Sequence, residues 1–177
     1  MKRVLCLLEN GFEEIEAIAP VDLLRRAGIE VVMAGVSGLE VTGKCGVRVL
    51  ADVELNNVDF LGFDVLFLPG GPAVMKLRKD ERIIEIIQGF HERDGLVAAI
   101  CAAPLLLKDA GLIDGKRITA HFSTSDELPG NTGERVVYDG EFLTSRGAGT
   151  AVEFGLELVK ILCGKEMADE VGCAVMV

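Results

Sequence analysis

The sequence predicts an α/β fold in which a mostly parallel sheet carries helices on both of its faces. Short runs rich in valine, leucine and isoleucine recur along the chain, and segments of helical composition or helical periodicity lie between them. Glycine and proline residues stand at most of the boundaries. Strands that alternate with helices of this length form parallel sheets joined by right-handed crossovers.

The first half of the chain predicts single strands, one helix and a hairpin. The strands are apolar runs, the helix follows from composition and a glycine stop, and the hairpin follows from alternating residues around a Gly-Lys-Cys-Gly turn. In chain order these elements are a strand at 4–8, a helix at 13–27, a strand at 29–34, a hairpin within 39–55 and a strand at 64–68. Pro20 lies inside the helix and indicates a kink or a late start.

The second half of the chain predicts alternating helices and strands. Its first helix has isoleucine and phenylalanine residues at helical spacing, and its paired strands surround an Asp-Gly turn. In chain order the elements are a helix at 80–93, a strand ending at Cys101, a helix to about Gly111, a strand at 117–121, two strands within 136–145, a helix at 151–163 and a short helix after Gly164. Thr150 is the predicted N-cap of the helix at 151–163.

Length and composition favour a single domain, residues 1–177, with a substantial hydrophobic core. The 18 basic and 28 acidic side chains give a net charge of −10, which argues against binding to nucleic acid or to an anionic membrane. The longest apolar stretch, 96–107, contains Pro104 and is too short to span a bilayer. The N-terminal sequence does not resemble a signal peptide.

The cysteines and histidines indicate a reducing compartment, which we expect to be the cytoplasm. Five cysteines form an odd set without a Cys-x-x-Cys pair. The two histidines, His91 and His121, do not lie at the spacing that zinc ligands show. We therefore expect the protein to work without a metal site.

Three loops leave the predicted sheet at the carboxyl ends of its strands, where parallel sheets bind ligands. These loops are 9–16, 69–72 and 101–102. A cluster of carboxylates, a glycine turn and a cysteine are therefore expected to converge at one edge of the sheet.

Cys101 is the candidate nucleophile. It ends the apolar run 96–100 and precedes a helix-forming run with Pro104 near its start, so its thiol is expected at a helix N-terminus. Unpaired N–H groups and the helix dipole would stabilise the thiolate there and lower the pKa of the Cys101 thiol. The alternative is that Cys101 is one more small buried apolar residue.

The other candidate residues each have a structural alternative. Gly70 and Gly71 allow close backbone approach, and they form either an oxyanion hole or a simple strand-ending turn. The carboxylates at 13–16 interact with the helix dipole unless one of them, in protonated form, faces the thiol. His121 is either a general base or a structural histidine, and Arg146 binds either a carboxylate or backbone carbonyls.

Four segments, taken in order, resemble the ThiJ/PfpI superfamily, in the branch of the parkinsonism-associated protein deglycase and bacterial YajL. They are EEIE at 13–16, LPGG at 68–71, AAICAAP at 98–104 and TSRGAGT at 144–150. The resemblance covers nearly the whole chain. It implies a flavodoxin-like three-layer sandwich and a homodimer.

The resemblance also implies roles for individual residues. Cys101 would be the reactive, oxidation-prone cysteine, and Glu16 the protonated glutamate beside its thiolate. The N–H groups of Gly71 and Ala102 would form the oxyanion hole, and His121 would be the histidine of the site.

Gly70 and Arg146 complete the expected site as substrate-binding residues. The chain also departs from the resemblance in a few places. Ala103 and Ala148 stand where the family usually has glycine and proline, and the hairpin near Cys45 lacks an arginine that some members have. These differences affect the shape of the pocket and leave the nucleophile in place.

The leading hypothesis is a cofactor-independent enzyme of the glyoxalase III or protein deglycase type, acting on a small reactive carbonyl compound or a glycated protein. Cys101 would attack the aldehyde of methylglyoxal, and the resulting hemithioacetal would rearrange to lactate. The alternative is an oxidative-stress sensor or holdase chaperone that works through oxidation of Cys101 without turnover. A purely structural domain is a third possibility. Peptidase or amidase activity is disfavoured, because the protease-like relatives have a histidine where this chain has Ala102.

Overall fold

A seven-stranded sheet forms the centre of the structure, which is a computed structural model that describes residues 2–177. Within these residues the strands are, in chain order, β1 (Arg3–Leu8), β2 (Glu30–Gly35), β3 (Glu40–Thr42), β4 (Arg48–Leu50), β5 (Val53–Glu54), β6 (Val65–Leu68), β7 (Leu96–Ile100), β8 (Val136–Asp139) and β9 (Phe142–Ser145). The sheet has the order β5-β2-β1-β6-β7-β9-β8. All neighbouring strands are parallel except β8 and β9.

Helices cover both faces of the sheet. They are α1 (Glu14–Arg26), α2 (Val74–Leu77), α3 (Glu81–His91), α4 (Pro104–Asp109), α5 (Ala151–Cys163) and α6 (Lys165–Ala174). The apolar residues of α1, α5 and α6 form one core cluster against the sheet, and those of α2, α3 and α4 form a second cluster on the opposite face. The predicted arrangement of three layers is confirmed. None of the helices in the described part of the chain combines the length and the apolar composition needed to cross a bilayer.

The central strands are buried on both faces, which explains their continuous apolar sequences. Every residue of β6 is fully buried, and successive residues of β1 point alternately into the two core clusters. Parallel pairing brings the carboxyl ends of β1, β6 and β7 to the same edge of the sheet. The loops that follow these three strands therefore meet, as the sequence predicts.

The predicted hairpins both form. Strands β3 and β4 pair outside the main sheet, with Val41 opposite Val49, and β8 and β9 form an antiparallel pair at the end of the main sheet. Helix α1 runs through Pro20 without interruption, so the predicted late start is wrong.

The predicted strand at 117–121 is also wrong. Its backbone makes one isolated bridge, to Asn131, because side chains take the hydrogen bonds that a neighbouring strand would supply. The Ala120 N–H donates to Asn131 Oδ1 at 2.9 Å, and Asn131 Nδ2 donates to the Ala120 carbonyl at 3.0 Å. The Thr119 N–H donates to a threonine hydroxyl at 3.0 Å. The segment is therefore a pinned loop that carries His121.

Gly155 on α5 contacts α1 so closely that a side chain has no room there. A Cβ on Gly155 would lie 2.7 Å from Leu23 Cδ1 and 3.0 Å from Pro20 Cα. We expect Gly155→Val to lower the free energy of unfolding by about 1–3 kcal/mol, because overpacking forces the two helices apart. Gly89 on α3 has nothing within 4 Å of the equivalent position, so Gly89→Val is the control and should change stability by less than about 0.5 kcal/mol. Urea denaturation measures both variants, and equal effects would contradict this account of the α1–α5 contact.

Candidate active site

Cys101 forms the predicted sharp turn between β7 and α4, a strand-turn-helix arrangement of the nucleophile-elbow type. Its φ of +65° is a left-handed conformation that residues other than glycine seldom adopt. The Cys101 N–H donates to the Ser145 carbonyl at 2.8 Å, and the Cys101 carbonyl accepts from the His121 N–H at 2.8 Å. The turn is thus held from β9 on one side and from the His121 loop on the other. Backbone strain that the surroundings enforce in this way is typical of functional sites.

Glu16 lies in the first turn of α1, and its carboxyl group points toward the turn that carries Cys101. Glu16 Oε2 accepts a hydrogen bond from the Gly70 N–H at 3.0 Å. Glu13 is the N-cap of α1: its Oε2 accepts from the Glu16 N–H at 2.8 Å, and its own N–H donates to the Gly70 carbonyl at 3.0 Å. These bonds tie the start of α1 to the end of β6.

Gly70 and Gly71 allow the backbone to lie directly against the two reactive groups. A Cβ on Gly70 would clash with Glu16 Oε2 and would lie 2.6 Å from Cys101 Cβ. Gly71 has a φ of +92°, and a Cβ there would meet the backbone of the β1–α1 loop at 2.5 Å. The N–H groups of Gly71 and Ala102 donate toward the Cys101 sulfur. The residues predicted as an oxyanion hole therefore surround the predicted nucleophile.

The carboxyl group of Glu16 titrates in the neutral range. Burial raises the pKa of Glu16 to about 7, although hydrogen bonds with Cys101 and with the Gly70 N–H favour the carboxylate; the nearby Glu13 carboxylate raises the pKa further. A carboxyl group with this pKa can hold or release a proton near pH 7, which is what general acid–base catalysis requires.

The predicted lowering of the Cys101 pKa is wrong for the resting site. Burial, followed by the charge of the Glu16 carboxylate, raises the pKa of the Cys101 thiol to about 12, and the N–H groups of Ala102 and Gly71 offset only part of this increase. Helix α4 is short and begins only at Pro104, so the sulfur lies before its first turn. The thiol therefore keeps its proton until a base removes it, and Glu16 is the adjacent base.

His121 lies at the rim of the site. Its Nδ1 is 2.8 Å from Ser123 Oγ, and the centroid of its ring is 4.1 Å from that of Phe122. Gly147 separates the imidazole from the carboxyl group of Glu16: a Cβ on Gly147 would lie 3.6 Å from His121 Cδ2 and 3.9 Å from Glu16 Oε1. Only a residue without a side chain leaves this gap open between the two groups.

A cavity of about 690 Å³ opens on the His121 side of the site. Arg146 lines it, while Cys101 and Glu16 lie outside its lining. Arg146 Nη1 donates to the Gly133 carbonyl at 3.1 Å, so the guanidinium makes the backbone contact that was the structural alternative for this residue. The structure places the predicted substrate-binding arginine at the wall of the cavity, apart from the nucleophile.

Some residues of the site carry no signal in the sequence that identifies them. Asn131 fixes the backbone before His121, and the hydroxyls of Ser145 and Thr150 lie 2.6 Å apart beneath the turn at Gly147. The Thr150 hydroxyl also donates to the Gly147 carbonyl at 2.7 Å and makes no helix-capping bond, so Thr150 stands at the predicted N-cap position of α5 without capping it through its side chain. The glycine-rich segment at 144–150 was the available clue to this support.

Metal binding and disulfide formation find no support in the described residues. Across residues 2–177, no group of three or more histidine, cysteine, aspartate or glutamate side chains is arranged to hold a metal ion. The five cysteines are free thiols, and three of them, Cys45, Cys163 and Cys173, are exposed.

Comparison with known proteins gives the same picture of the chain. Residues 2–161 match the DJ-1/PfpI family. The chain belongs to the DJ-1/PfpI family. It is 39% identical to "Protein dj-1beta" of Drosophila melanogaster over 183 aligned residues, which cover 99% of this chain and 97% of that protein. It is 36% identical to "Glutathione-independent glyoxalase DJR-1.2" of Caenorhabditis elegans, over 89% of this chain and 86% of that one.

Solved structures of DJ-1/PfpI proteins have the same flavodoxin-like α/β fold. The crystal structure of Drosophila melanogaster DJ-1beta superposes with a TM-score of 0.95 at 38% identity, covering 99% of this chain and 98% of that one. A structure described as "Toxoplasma gondii DJ-1, oxidized" superposes with a TM-score of 0.94 at 32% identity, with the same coverage. The expected family and fold are confirmed.

The raised pKa of Glu16 predicts an unusual dependence of stability on pH. In the unfolded chain this carboxyl group titrates near 4.5, and in the folded protein near 7, so between these values the folded state holds the extra proton. The contribution of Glu16 to stability is therefore full below pH 4.5 and is lost as the pH rises to 7. Relative to Glu16→Gln, we expect the free energy of unfolding of the unmodified protein to fall by about 3 kcal/mol across this range.

Urea denaturation of both proteins at pH 4.5, pH 7 and intermediate values measures this difference. Cys101→Ala is a useful companion, because it removes a hydrogen bond that favours the Glu16 carboxylate and should extend the fall to higher pH. A difference between the two proteins that stays constant with pH would contradict the assignment.

Proposed function

We propose that this protein converts small 2-oxoaldehydes such as methylglyoxal to 2-hydroxy acids, without a cofactor, through a hemithioacetal on Cys101. One observation carries the proposal: a carboxyl group with a pKa of about 7 and a sulfur that receives two backbone N–H groups lie on the same side of Gly70. The nucleophile, its base and the donors for a developing negative charge are thus in one place.

The first step is addition of the sulfur to the aldehyde carbon. The Glu16 carboxylate takes the proton from Cys101 Sγ as the S–C bond forms, and the aldehyde oxygen becomes negative. The N–H groups of Gly71 and Ala102 stabilise that oxygen, and Glu16 then returns the proton to it. The product is a neutral hemithioacetal, with the Glu16 carboxylate restored.

The second step moves a hydrogen within the substrate. The Glu16 carboxylate removes the proton from the former aldehyde carbon and delivers it to the adjacent carbon, so the first carbon is oxidised and the second is reduced. This internal transfer requires no outside oxidant. Water then cleaves the resulting thioester, with His121 as the proton acceptor at the rim, and releases the 2-hydroxy acid and the Cys101 thiol.

The relatives support an activity of this class. The Caenorhabditis elegans relative is named a glutathione-independent glyoxalase, and it aligns with 89% of this chain. A deglycase, which would release the same carbonyl from a glycated protein, would use the same nucleophile, with the cavity beside His121 to accommodate the attached protein. We propose the free 2-oxoaldehyde as the substrate because the sulfur itself is mostly buried.

Removal of the nucleophile should abolish turnover. We expect Cys101→Ala to lower the rate of lactate formation from methylglyoxal at least about a thousandfold, because no hemithioacetal can form. Cys163→Ala, which removes an exposed thiol on α5, is the matched control and should retain the full rate. Lactate is measured by chiral chromatography in the absence of glutathione. Equal rates for the unmodified protein and Cys101→Ala would refute the proposal.

A second candidate function is redox sensing or chaperone activity through oxidation of Cys101. The sulfur is partly accessible and lies beside a carboxyl group that can donate a hydrogen bond to an oxidised product, and one solved relative is described as oxidized. Mass spectrometry after mild peroxide treatment distinguishes the two functions. Selective addition of two oxygens to Cys101 in a protein that does not turn over methylglyoxal would favour the sensor.

We further propose that the protein is a cytoplasmic homodimer that pairs through α1 and the β3–β4 hairpin. Ile15, Ile18, Val47 and Leu50 are exposed on these elements, with Leu50 70% exposed. Glu14 Oε1 accepts hydrogen bonds from two N–H groups of the hairpin, which joins the two elements into one surface. Free thiols, as in this chain, are typical of reducing compartments.

We expect the double variant Ile18→Glu, Leu50→Glu to be a monomer, because buried charges at the centre of an apolar contact oppose association. Leu61→Glu is the control: Leu61 is 82% exposed in the turn before β6, away from this surface, and the variant should remain a dimer. Sedimentation velocity measures the mass of each protein. An unmodified protein that is monomeric at micromolar concentration would refute the pairing.

A further inference from the structure

Arg78, at the C-terminal end of α2, is the centre of a dense ion-pair network on the protein surface. Its Nε and Nη2 donate to the two carboxylate oxygens of Asp109 at 2.6 and 2.8 Å, and its Nη1 and Nη2 donate to the two oxygens of Glu127 at 2.8 and 2.7 Å. Lys108 Nζ reaches Glu127 at 3.0 Å. The Arg78 side chain is only 17% exposed. Bidentate pairs of this kind have a defined geometry that a lysine cannot reproduce.

The partners of Arg78 come from the segments that follow the three parts of the active site. Arg78 ends the segment that begins at Gly71, and Asp109 ends α4, which follows Cys101. Glu127 ends the turn that follows His121. The network therefore joins the far ends of three segments whose near ends carry an N–H donor, the nucleophile and the histidine.

Each segment is stiff enough to transmit a shift of its far end. The Val74 N–H donates to the Gly71 carbonyl at 3.1 Å, and α2 continues from there to Arg78. The Thr124 N–H donates to the His121 carbonyl at 3.0 Å, and the Glu127 N–H donates to the Thr124 carbonyl at 3.0 Å. Beneath the network the apolar side chains of these segments share one core cluster; they include Val74, Leu77, Leu105, Leu106 and Leu128.

The charges of the network persist across the physiological pH range. The hydrogen bonds from Arg78, and then from Lys108, lower the pKa of Glu127 to about 2, and those to Asp109 and Glu127 raise the pKa of Arg78 above its usual value. Exposed ion pairs contribute little to global stability, so a network of this size needs another explanation than stability alone.

We propose that Arg78 is a positioning residue for the active site: through Asp109 and Glu127 it holds the Gly71 N–H, the Cys101 sulfur and His121 in mutual alignment. The consequence is local. Without the network, α2 and α4 can shift against each other, and the Gly71 N–H no longer points at the sulfur that it stabilises. The inference uses the role of Cys101 as a nucleophile and is independent of the identity of the substrate.

The test measures the reactivity of Cys101 directly, by alkylation with iodoacetamide and mass spectrometry of the tryptic peptide at 94–108. Cys163, whose peptide is 161–165, reports the reactivity of an exposed thiol in the same sample. We expect Arg78→Met to slow the alkylation of Cys101 about tenfold and to leave that of Cys163 unchanged, because misaligned donors no longer stabilise the thiolate. For the same reason, the pH at which Cys101 becomes reactive should rise.

Two further variants separate positioning from charge and from folding. Arg82→Met removes a bidentate pair with Asp80 that lies within a single segment, and it should leave Cys101 as reactive as before. Arg78→Lys keeps the charge without the fork, and it should slow Cys101 nearly as much as Arg78→Met does. If Arg78→Met does not fold, Asp109→Asn takes its place, since it weakens one bidentate pair and keeps the side-chain shape.

Several results would overturn the inference. They are an unchanged rate at Cys101 in the folded variant, an equal change at Cys101 and Cys163, or full reactivity in Arg78→Lys. Circular dichroism confirms that each variant is folded at the temperature of the assay. A protein that alkylates as expected but does not turn over methylglyoxal would refute the proposed function and leave the role of Arg78 intact.

Discussion

The contact between the Glu16 carboxyl group and the Cys101 turn, across the backbone of Gly70, is the constraint on which the rest of the site depends. Any side chain at Gly70 would occupy the volume in which these two groups meet. The same close approach lets the Gly70 N–H donate to Glu16 and brings the Gly71 N–H to the sulfur. Backbone donors are well suited to this task, because they are already oriented by the fold before charge develops.

Burial of two ionisable groups beside each other governs the chemistry that the site can perform. Two negative charges this close in a protected environment are unfavourable, so the pKa of each group is raised. The thiol keeps its proton at rest, whereas Glu16 can release its proton near neutral pH. Reactivity therefore arises from transfer of a proton inside the pair, and it does not require a sulfur that is permanently ionised.

The architecture supports the site from both sides of the sheet. Helix α1 delivers Glu16 from one layer, while α2 and α4 follow the Gly71 and Cys101 turns into the other layer. The Arg78 network lies at the distant end of that second layer and joins its segments. A strained turn at Cys101 can persist in this setting because hydrogen bonds from Ser145 and His121 hold it in place.

The sequence by itself determined the class of the fold, the order of nearly all elements and the edge of the sheet at which the candidate residues meet, because burial and backbone geometry leave periodic signals in a chain. It could not reveal that the segment at 117–121 is a loop, since that depends on the distant side chain of Asn131. Nor could it give the pKa of Cys101, because the helix-dipole argument considers only neighbours along the chain. Tertiary structure alone decided how deeply the sulfur is buried, how close Glu16 lies and which segments Arg78 joins, since these are contacts between residues far apart in sequence.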